Sequence, residues 1–240
     1  MLRPRFLSGL NIVADWYDIR IRDAVNTPAA SAVAELCYDQ PTLDSTFCGQ
    51  LTRDPLTGYF ANSIVQPANV ANFDTEGLDV ALNYRIGRIG GLGSFNLRAT
   101  GNYLHKLSFI PSPGAEVDND RGESSTDSSG TPAPKYSATG DITWTLGKLT
   151  LNYGINWFAK TLRFSNKQVE DDPDIVAPEY LYFKERWEHE AQASFNVNNR
   201  FNIYAGVNNL FDTKPDVGSS AFPVSSVGRF FYLGVKAKVF

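Results

Sequence analysis

The chain has 240 residues, 20% of them charged, and a formal net charge of −4. This balance offers no basic field for a polyanion, so a nucleic-acid-binding function is not expected. The mean hydropathy is −0.25, and no run approaches the ~18 consecutive apolar residues of a membrane-spanning helix, which excludes a helical membrane protein. A transmembrane β-barrel is compatible with this composition, because only every second residue of each strand faces lipid.

The first ten residues carry two arginines but no sustained apolar core and no small-residue cleavage site. They do not match a signal peptide. Because a membrane barrel must be exported, we expect the chain to begin inside a longer protein.

The first predicted strand covers about residues 8–21. Its apolar face holds Leu10, Ile12, Ala14 and Trp16. After Trp16 the apolar residues move to the odd-numbered positions, which indicates a bulge or the point where the strand leaves the apolar layer.

A long insertion follows at 23–68. We expect a short helix over 29–38, a turn over 54–58 and a short strand over 59–65. The only two cysteines, Cys37 and Cys48, lie here. A disulfide is the first interpretation and would stabilise the loop by roughly 2–4 kcal/mol; two free thiols are the alternative. A zinc site is not expected, because the only histidines, His105 and His189, lie far away in sequence.

Three predicted hairpins follow, each with apolar residues at every second position. They cover 73–108 with a glycine-rich turn at 87–93, then 136–159 with a turn at 147–148, then 181–211 with a turn at 198–200. A final strand ends the chain. The C-terminal strand residues are Phe231, Leu233, Val235, Val239 and Phe240, of which Phe240 falls out of phase.

The short turns alternate with long loops at 23–68, 109–134, 165–179 and 212–226. A soluble β-sandwich has no reason to keep all its short turns at one end, whereas an outer-membrane barrel has short periplasmic turns and long extracellular loops. The pattern therefore predicts an all-β protein, an antiparallel transmembrane barrel portion of about eight long strands. Rings near the strand ends are candidates for interfacial girdles, with ordinary sheet packing as the alternative: Trp16, Tyr84, Tyr103, Tyr136, Trp144, Trp157 and Trp187.

No catalytic motif is present at usable strength, so neither an enzyme nor a cofactor is expected. His189 lies on an apolar face, which argues against a hydrolase histidine. An acidic run in the 109–134 loop lacks calcium-loop spacing and is interpreted as solvated; it contains Asp118, Asp120, Glu123 and Asp127. Charged residues on the polar strand faces are expected to line a hydrated interior: Arg85, Arg98, Asp141, Lys160, Arg186, Glu188 and Glu190.

The C-terminal quarter carries a motif that resembles the end of TonB-dependent outer-membrane receptors. It consists of Val207, Asn208, Asn209, Leu210, Phe211 and Asp212, with Pro215 beyond and the run 228–235 after it. Further similar segments lie at 9–21, 36–39, 47–48, 52–55 and 75–80. The resemblance implies a 22-stranded barrel in the outer membrane of a Gram-negative bacterium, filled by an N-terminal plug and importing a scarce nutrient. Substrate-binding residues are not identifiable from it.

On this resemblance, residues 1–240 correspond to the C-terminal portion of the barrel, without the plug or the N-terminal strands. The implied partners are outer-membrane lipid, the missing plug and strands, the TonB complex through the TonB box of the plug segment, and the barrel-assembly machinery. Three alternatives stay open: a self-standing eight-stranded barrel with an adhesion or structural role, a secreted carbohydrate-binding β-sandwich, and a gene remnant. The substrate class also stays open among siderophores, cobalamin and oligosaccharides.

Overall fold

The computed structural model describes residues 1–38, 47–113, 115–124, 131–216 and 227–238. Two α-helices are present in these ranges, α1 (Ala30–Tyr38) and α2 (Asn166–Asp171). The strands are β1 (Leu10–Asn26), β2 (Leu51–Arg53), β3 (Phe60–Ser63), β4 (Ala68–Ile86), β5 (Ser94–Ile110), β6 (Asp118–Asn119), β7 (Tyr136–Leu146), β8 (Leu149–Phe158), β9 (Thr161–Leu162), β10 (Tyr182–Phe183), β11 (Arg186–Asn196), β12 (Phe201–Asn208) and β13 (Phe230–Ala237).

Eight long strands form one antiparallel meander in the order β1-β4-β5-β7-β8-β11-β12-β13. The short strand β6 pairs with the C-terminal end of β5. Every long strand therefore pairs with its neighbour among the long strands in sequence. β1 and β13 lie at the two edges of this open sheet. The all-β barrel-portion prediction and the eight long strands are confirmed.

Two of the three short connections contain glycines in conformations that other residues avoid. Gly93 has φ of +81°, and a Cβ placed on it would lie 2.2 Å from the backbone oxygen of Thr145 on the neighbouring strand. Gly147 has φ of +57° in the two-residue turn between β7 and β8. Positive φ is readily accessible only to glycine, so these positions fix where the chain reverses.

The long connections gather at the opposite end and carry most of the buried residues. Val33, Leu36 and Cys37 of α1 are buried, as are Leu104, Phe109, Ala133 and Leu162 near or within the next two long loops. Among the residues that the structure describes, nothing covers either face of this single-layer sheet over most of its length. No helix among the described residues is long and apolar enough to span a membrane.

The connection between β1 and β4 contains the predicted helix, turn and strand. Residues 54–58 form the turn between β2 and β3, with Asp54 Oδ1 accepting hydrogen bonds from the backbone N–H groups of Leu56 and Thr57. Cys37 and Cys48 form a disulfide with their Cα atoms 4.7 Å apart. The sequence missed only β2, which is too short to show a period.

Several sequence predictions need correction. For the phase change after Trp16, the first of the two alternatives, a bulge, is wrong, because β1 pairs with β4 without interruption from Leu10 to Ile21, and the register shifts come only beyond Ile21. The pairing agrees with the second alternative, in which the strand leaves the apolar layer. The change marks where charged residues replace apolar ones on the same face. The loop predicted over 165–179 contains α2, and the third hairpin is shorter than predicted, with β9 and β10 forming a separate small pair.

The acidic loop was predicted to be solvated, and for two of its carboxylates this is wrong. Asp120 is fully buried and Glu123 is 3% exposed. Burial of a carboxylate requires hydrogen-bond donors, and for Glu123 the backbone N–H of Asn166 supplies one. Asp127, Val239 and Phe240 lie outside the described residues.

Candidate functional site

One face of the sheet is apolar across all eight long strands. Because paired residues of antiparallel strands share a face, the pairing defines rows that cross the sheet. One row runs Leu10, Tyr84, Leu97, Ile142, Tyr153, Ala191, Val207 and Phe231. A parallel row runs Ile86, Phe95, Trp144, Leu151, Ala193, Ala205 and Leu233. None of the large side chains in these two rows is buried, and Phe231 and Leu233 are 69% and 77% exposed, so the face is open to its surroundings.

Aromatic rings mark both limits of this apolar face. Trp16, Tyr103 and Tyr136 lie in one row toward the long loops, and Trp157 pairs with Trp187 at 5.7 Å between ring centroids. Toward the short turns, Trp144 stacks near Phe95 at 6.5 Å. All four tryptophans of the chain thus belong to the apolar face, at its two ends.

His189 is the one imidazole among the paired residues of this face, and it is held by its neighbours. Its Nδ1 lies 2.6 Å from the Tyr153 hydroxyl, and its ring meets Phe211 edge-on at 4.8 Å. These contacts satisfy a polar group among apolar side chains. The prediction that His189 lies on the apolar face is confirmed.

On the long-loop side of the aromatic row, the same face carries charged side chains. Arg20 bonds Asp18 through two nitrogens, at 3.0 and 2.7 Å. Asp74 accepts from both Arg22 and Lys106. We call the six residues Asp18, Arg20, Arg22, Asp74, Glu76 and Lys106 the outer charged patch.

The opposite face carries mainly polar side chains. Neighbouring side chains bond across the strands: Thr100 and Thr139 hydroxyls lie 2.7 Å apart, and Asn102 Nδ2 donates to Asp79 at 2.7 Å. One row runs Asn83, Arg98, Asp141, Gly154 and Glu190. The predicted interior residues Arg85, Arg98, Asp141, Arg186, Glu188 and Glu190 share this polar face, whereas Lys160 lies beyond β8 with its Nζ 4.1 Å from the ring centroid of Tyr182.

Tyrosines on this polar face lie over glycines of the neighbouring strand. A Cβ on Gly206 would lie 2.3 Å from the Tyr232 ring, and one on Gly234 would lie 2.3 Å from the Tyr204 ring. Tyr17 covers Gly77 in the same manner between β1 and β4. The missing side chains let the rings lie flat on the sheet, which fits a wall whose polar side is concave.

The residues of the C-terminal motif fasten the chain as it leaves β12. Asn209 is 1% exposed; its side chain bonds the backbone N–H and carbonyl of Thr213. Thr213 Oγ1 donates to the Trp187 carbonyl of β11 at 3.1 Å. Asp212 Oδ1 accepts the Arg229 N–H at 3.0 Å, just before β13. The motif thus joins three consecutive long strands at the end where the long loops lie.

The Asp212 carboxylate also forms an ion pair with Lys214 at 2.8 Å. The Lys214 hydrogen bond, followed by that of the Arg229 backbone N–H, lowers the pKa of Asp212 below its ordinary value. In the turn before β3, hydrogen bonds from the Thr57 and Leu56 backbone lower the pKa of Asp54. In both cases the hydrogen bonds stabilise the ionised carboxylate of a loop residue, so the two carboxylates have a structural role.

Three long loops contact one another next to this motif. Asn166, at the start of α2, donates to Glu123 Oε1 through its backbone N–H and its Nδ2. Asp216, just after Pro215, lies 3.1 Å from Arg186 and 3.8 Å from Arg163. The loops after β5, β8 and β12 are therefore connected into one unit at this end of the sheet. Sequence reasoning missed this unit, because its partners lie far apart in the chain.

Among the described residues, no group of three or more histidine, cysteine, aspartate or glutamate side chains is arranged to hold a metal ion. The site is therefore a sheet with two unlike faces and a unit of connected loops at one end. Such an arrangement separates an apolar environment from a hydrated one.

The chain matches the model of the family described as "TonB dependent receptor-like, beta-barrel" over residues 3–210. No curated protein matches it. Among solved structures it is similar to a mutant of the ferric enterobactin receptor PfeA from Pseudomonas aeruginosa, with 14% identity, a TM-score of 0.57, and coverage of 95% of this chain and 29% of that chain.

The FrpB iron transporter from Neisseria meningitidis gives 13% identity and a TM-score of 0.57, with coverage of 95% and 29%. The siderophore receptor PiuA from Acinetobacter baumannii gives 17% identity and a TM-score of 0.50, with coverage of 96% and 26%. At these identities the likeness shows the fold alone. The chain spans less than a third of the length of each of these receptors.

Proposed function

Because the chain belongs to the TonB-dependent receptor-like β-barrel family, we propose that residues 1–240 are the C-terminal portion of a barrel in the outer membrane of a Gram-negative bacterium. The parent protein is a receptor that imports a scarce nutrient and performs no chemistry on it. Barrels of this kind are closed by further strands and filled by a plug.

The observation that carries the proposal is the apolar face, which continues without a break across eight strands while the other face is polar. A lipid-embedded barrel wall needs this separation, because the outward residues meet hydrocarbon and the inward residues meet water or the plug. The aromatic rings at the two limits match the girdles that mark lipid–water interfaces.

The height of the apolar face supports the same conclusion. On β5 it extends from Phe95 to Tyr103, which is about 27 Å along the strand at 3.4 Å per residue. A strand tilt of roughly 35–45° reduces this to about 21 Å, and the end rings extend it toward the ~25 Å apolar band of outer-membrane barrels. The face therefore has the height of one bilayer core.

The two sheet edges support a portion of a larger barrel. In hydrocarbon each unpaired backbone group costs several kcal/mol, so β1 and β13 need neighbours. β1 already accepts an antiparallel neighbour at one point, where Leu2 and Ile12 exchange backbone hydrogen bonds of 2.7 and 3.0 Å. A closed eight-stranded barrel would instead pair β1 with β13, and a β-sandwich would fold the strands into two sheets. The eight long strands form one open sheet, in which β1 and β13 are the two edges.

The polar face supports a hydrated interior and a plug as partner. It carries the carboxylates of Asp15, Asp79, Asp141, Glu188 and Glu190 and the cations of Arg85, Arg98, Arg186 and Lys236. Charges of both signs on this face suit contact with water and with a polar plug. The plug would carry the TonB box and so engage the TonB complex, and the barrel-assembly machinery would insert the barrel.

The membrane placement is tested with tryptophan fluorescence in lipid vesicles. All four native tryptophans are replaced by phenylalanine, and one tryptophan is returned either at Ala138, on the apolar face, or at its neighbour Thr139, on the polar face. We expect lipids brominated on their acyl chains to quench Ala138→Trp strongly and Thr139→Trp weakly. Equal quenching of the two, or a protein that stays soluble without detergent, would refute the proposal.

Import is tested in cells that carry the whole gene or a deletion of it. The candidate substrates are a ferric siderophore, cobalamin and an oligosaccharide. The siderophore is tested first, because PiuA is named a siderophore receptor and PfeA a ferric enterobactin receptor. We expect accumulation of one labelled substrate to need both the gene and an energised inner membrane. If cells without the gene accumulated all three substrates as well as cells that carry it, the import function would be contradicted.

The portion assignment is tested by translating the DNA directly upstream of the Met1 codon. We expect an in-frame plug segment and further strands with alternating apolar residues. Stop codons in every frame would favour the alternatives of a self-standing barrel or a gene remnant.

A further inference from the structure

The outer charged patch lies on the apolar side of the wall, immediately beyond the aromatic row. Trp16 and Asp18 are successive outward residues of β1, and Leu78 and Glu76 are the corresponding residues of β4. Charged groups at this height leave the hydrocarbon but remain next to the lipid. They therefore lie at the level of lipid headgroups, provided that the barrel is embedded as proposed above.

Within the patch the cations are more exposed than the carboxylates. The side chains of Arg20, Arg22 and Lys106 are 64%, 49% and 48% exposed, against 39%, 21% and 27% for Asp18, Asp74 and Glu76. The carboxylates lie closer to the sheet and hold the cations in place. The outermost layer of the patch is thus positive, although the six formal charges cancel.

The cations keep donor groups beyond those used inside the patch. A guanidinium has five N–H donors, and the bidentate pair with Asp18 uses two nitrogens of Arg20. An ammonium has three N–H donors, and the bond to Asp74 uses one from Lys106. Arginine forks and lysine ammoniums suit phosphate oxygens as acceptors.

Arg121 adds a fourth cation at the same height. Its Nε donates to the Leu104 carbonyl at 2.7 Å, and its guanidinium carbon lies 5.6 Å from the centroid of the outward Tyr103 ring. The patch and this arginine border the same aromatic row from β1 to β5. Their positive outer layer continues directly into the apolar face below.

From this placement we propose that the outer charged patch binds the phosphate groups of lipids in the membrane leaflet next to the long loops. Apolar chains of the same lipid would lie on the face below, around Trp16 and Leu78. The occupant is a phosphate-bearing lipid with net negative charge, since a zwitterionic headgroup gains less from the positive outer layer. The inference rests on the proposed membrane placement and adds a preferred lipid to it.

The test uses Trp16 as a local probe, because it lies directly below the patch. In the whole encoded protein, the other tryptophans of this chain, together with any elsewhere in the protein, are replaced by phenylalanine. The protein is placed in phosphatidylcholine vesicles. Quenching of Trp16 is then measured with brominated phosphatidylglycerol and, separately, with brominated phosphatidylcholine. The ratio of the two association constants is the anionic-lipid preference at this site.

We expect this preference to fall about fivefold for each cation removed, so Arg20→Gln and Lys106→Gln each lower it and the double variant lowers it further. Asp18→Asn removes a carboxylate beside Arg20 and is expected to raise the preference. Lys214→Gln is the matched control, because it removes an exposed, ion-paired cation from a loop outside the patch. A probe left only at Trp144, at the other end of the apolar face, is expected to be insensitive to all of these changes.

Quenching of Trp16 by both lipids with no preference, or a preference that R20Q and K106Q leave unchanged, would overturn the inference while the membrane placement stands. An equal loss with Lys214→Gln would also overturn it, since net charge alone would then explain the effect. Absence of quenching by either lipid would instead refute the membrane placement on which the inference rests.

Discussion

At the scale of single residues, the turn between β4 and β5 contains two glycines with unlike constraints. Gly93 has positive φ and faces the Thr145 carbonyl, while Gly91 has open space around its Cβ position. A side chain added at Gly93 would therefore suffer both backbone strain and steric overlap. A side chain added at Gly91 would suffer neither.

We therefore expect Gly93→Ala to lower the free energy of unfolding by about 1–3 kcal/mol, while Gly91→Ala leaves it nearly unchanged. The measurement is urea unfolding in detergent micelles, followed by circular dichroism. Each variant adds one methyl group to the same turn, so similar effects in both would show that the Gly93 contact does not constrain the wall.

Asp212 gives a pH dependence with a defined sign. Its pKa is lowered in the folded protein, first by Lys214 and then by the Arg229 N–H. A lowered carboxyl pKa means that its contribution is fully present above the ordinary value of about pH 4 and is lost as pH falls through the folded pKa. Through its bonds to Lys214 and to the Arg229 N–H, the Asp212 carboxylate links the segment after β12 to the start of β13.

We expect Asp212→Asn to increase hydrogen exchange of the Arg229 amide at neutral pH, relative to the native protein and after correction for the intrinsic exchange rate. The difference should disappear as the pH falls through the folded pKa, where the native carboxyl is protonated and no longer holds Lys214. A difference that persists unchanged in strong acid would mean that the charge of Asp212 does not act here.

At the scale of elements, the loops after β5 and β8 are connected by Asn166 and the buried Glu123. Asn166→Ala removes the Nδ2 donor to Glu123 and to the Arg121 carbonyl. The backbone N–H of residue 166 still donates to Glu123 in this variant, so one hydrogen bond to a charged group is lost, which is worth about 1.5–3 kcal/mol. We expect the loops to loosen by this amount while the sheet stays folded.

Limited proteolysis checks this expectation: cleavage within 113–135 and 159–183 should rise, while the circular dichroism of the strands is unchanged. Lys167→Ala is the matched control, because Lys167 belongs to the same helix but makes an exposed ion pair with Glu116. Equal cleavage in both variants would show that α2 itself, rather than the Asn166 contact, controls the loops.

The long strands were predictable from sequence because their two faces meet unlike surroundings. Apolar residues such as Ile142 alternate with polar residues such as Asp141 along each strand. This period of two residues is a local property, so it can be recognised in a short stretch of sequence. The loop unit was not predictable, because Glu123 and Asn166 are 43 positions apart and an acidic run in isolation resembles a solvated loop. The change after Trp16 was ambiguous for the same reason: only the pairing with β4 distinguishes an unbroken strand from a bulge.

At the scale of the whole molecule, the direction of the two faces decides whether the sheet can lie in a bilayer. Ala99 and Thr100 are adjacent in β5, and their partners in β7 are Gly140 and Thr139. Ala99 lies midway between Phe95 and Tyr103 on the apolar face, while Thr100 points to the polar side. One substitution placed at each position compares hydrocarbon with water at nearly the same depth.

Lysine at the bilayer midplane costs about 2–4 kcal/mol on the lipid face of an outer-membrane barrel. We therefore expect Ala99→Lys to lower the free energy of unfolding by about this amount, and Thr100→Lys to lower it by about 1 kcal/mol at most through its lost hydroxyl bond to Thr139. Reversible unfolding of the whole encoded protein in lipid vesicles measures both. If Thr100→Lys proved the more damaging, the polar face would have to meet the lipid, and both the barrel orientation and the lipid-binding role of the outer charged patch would be excluded.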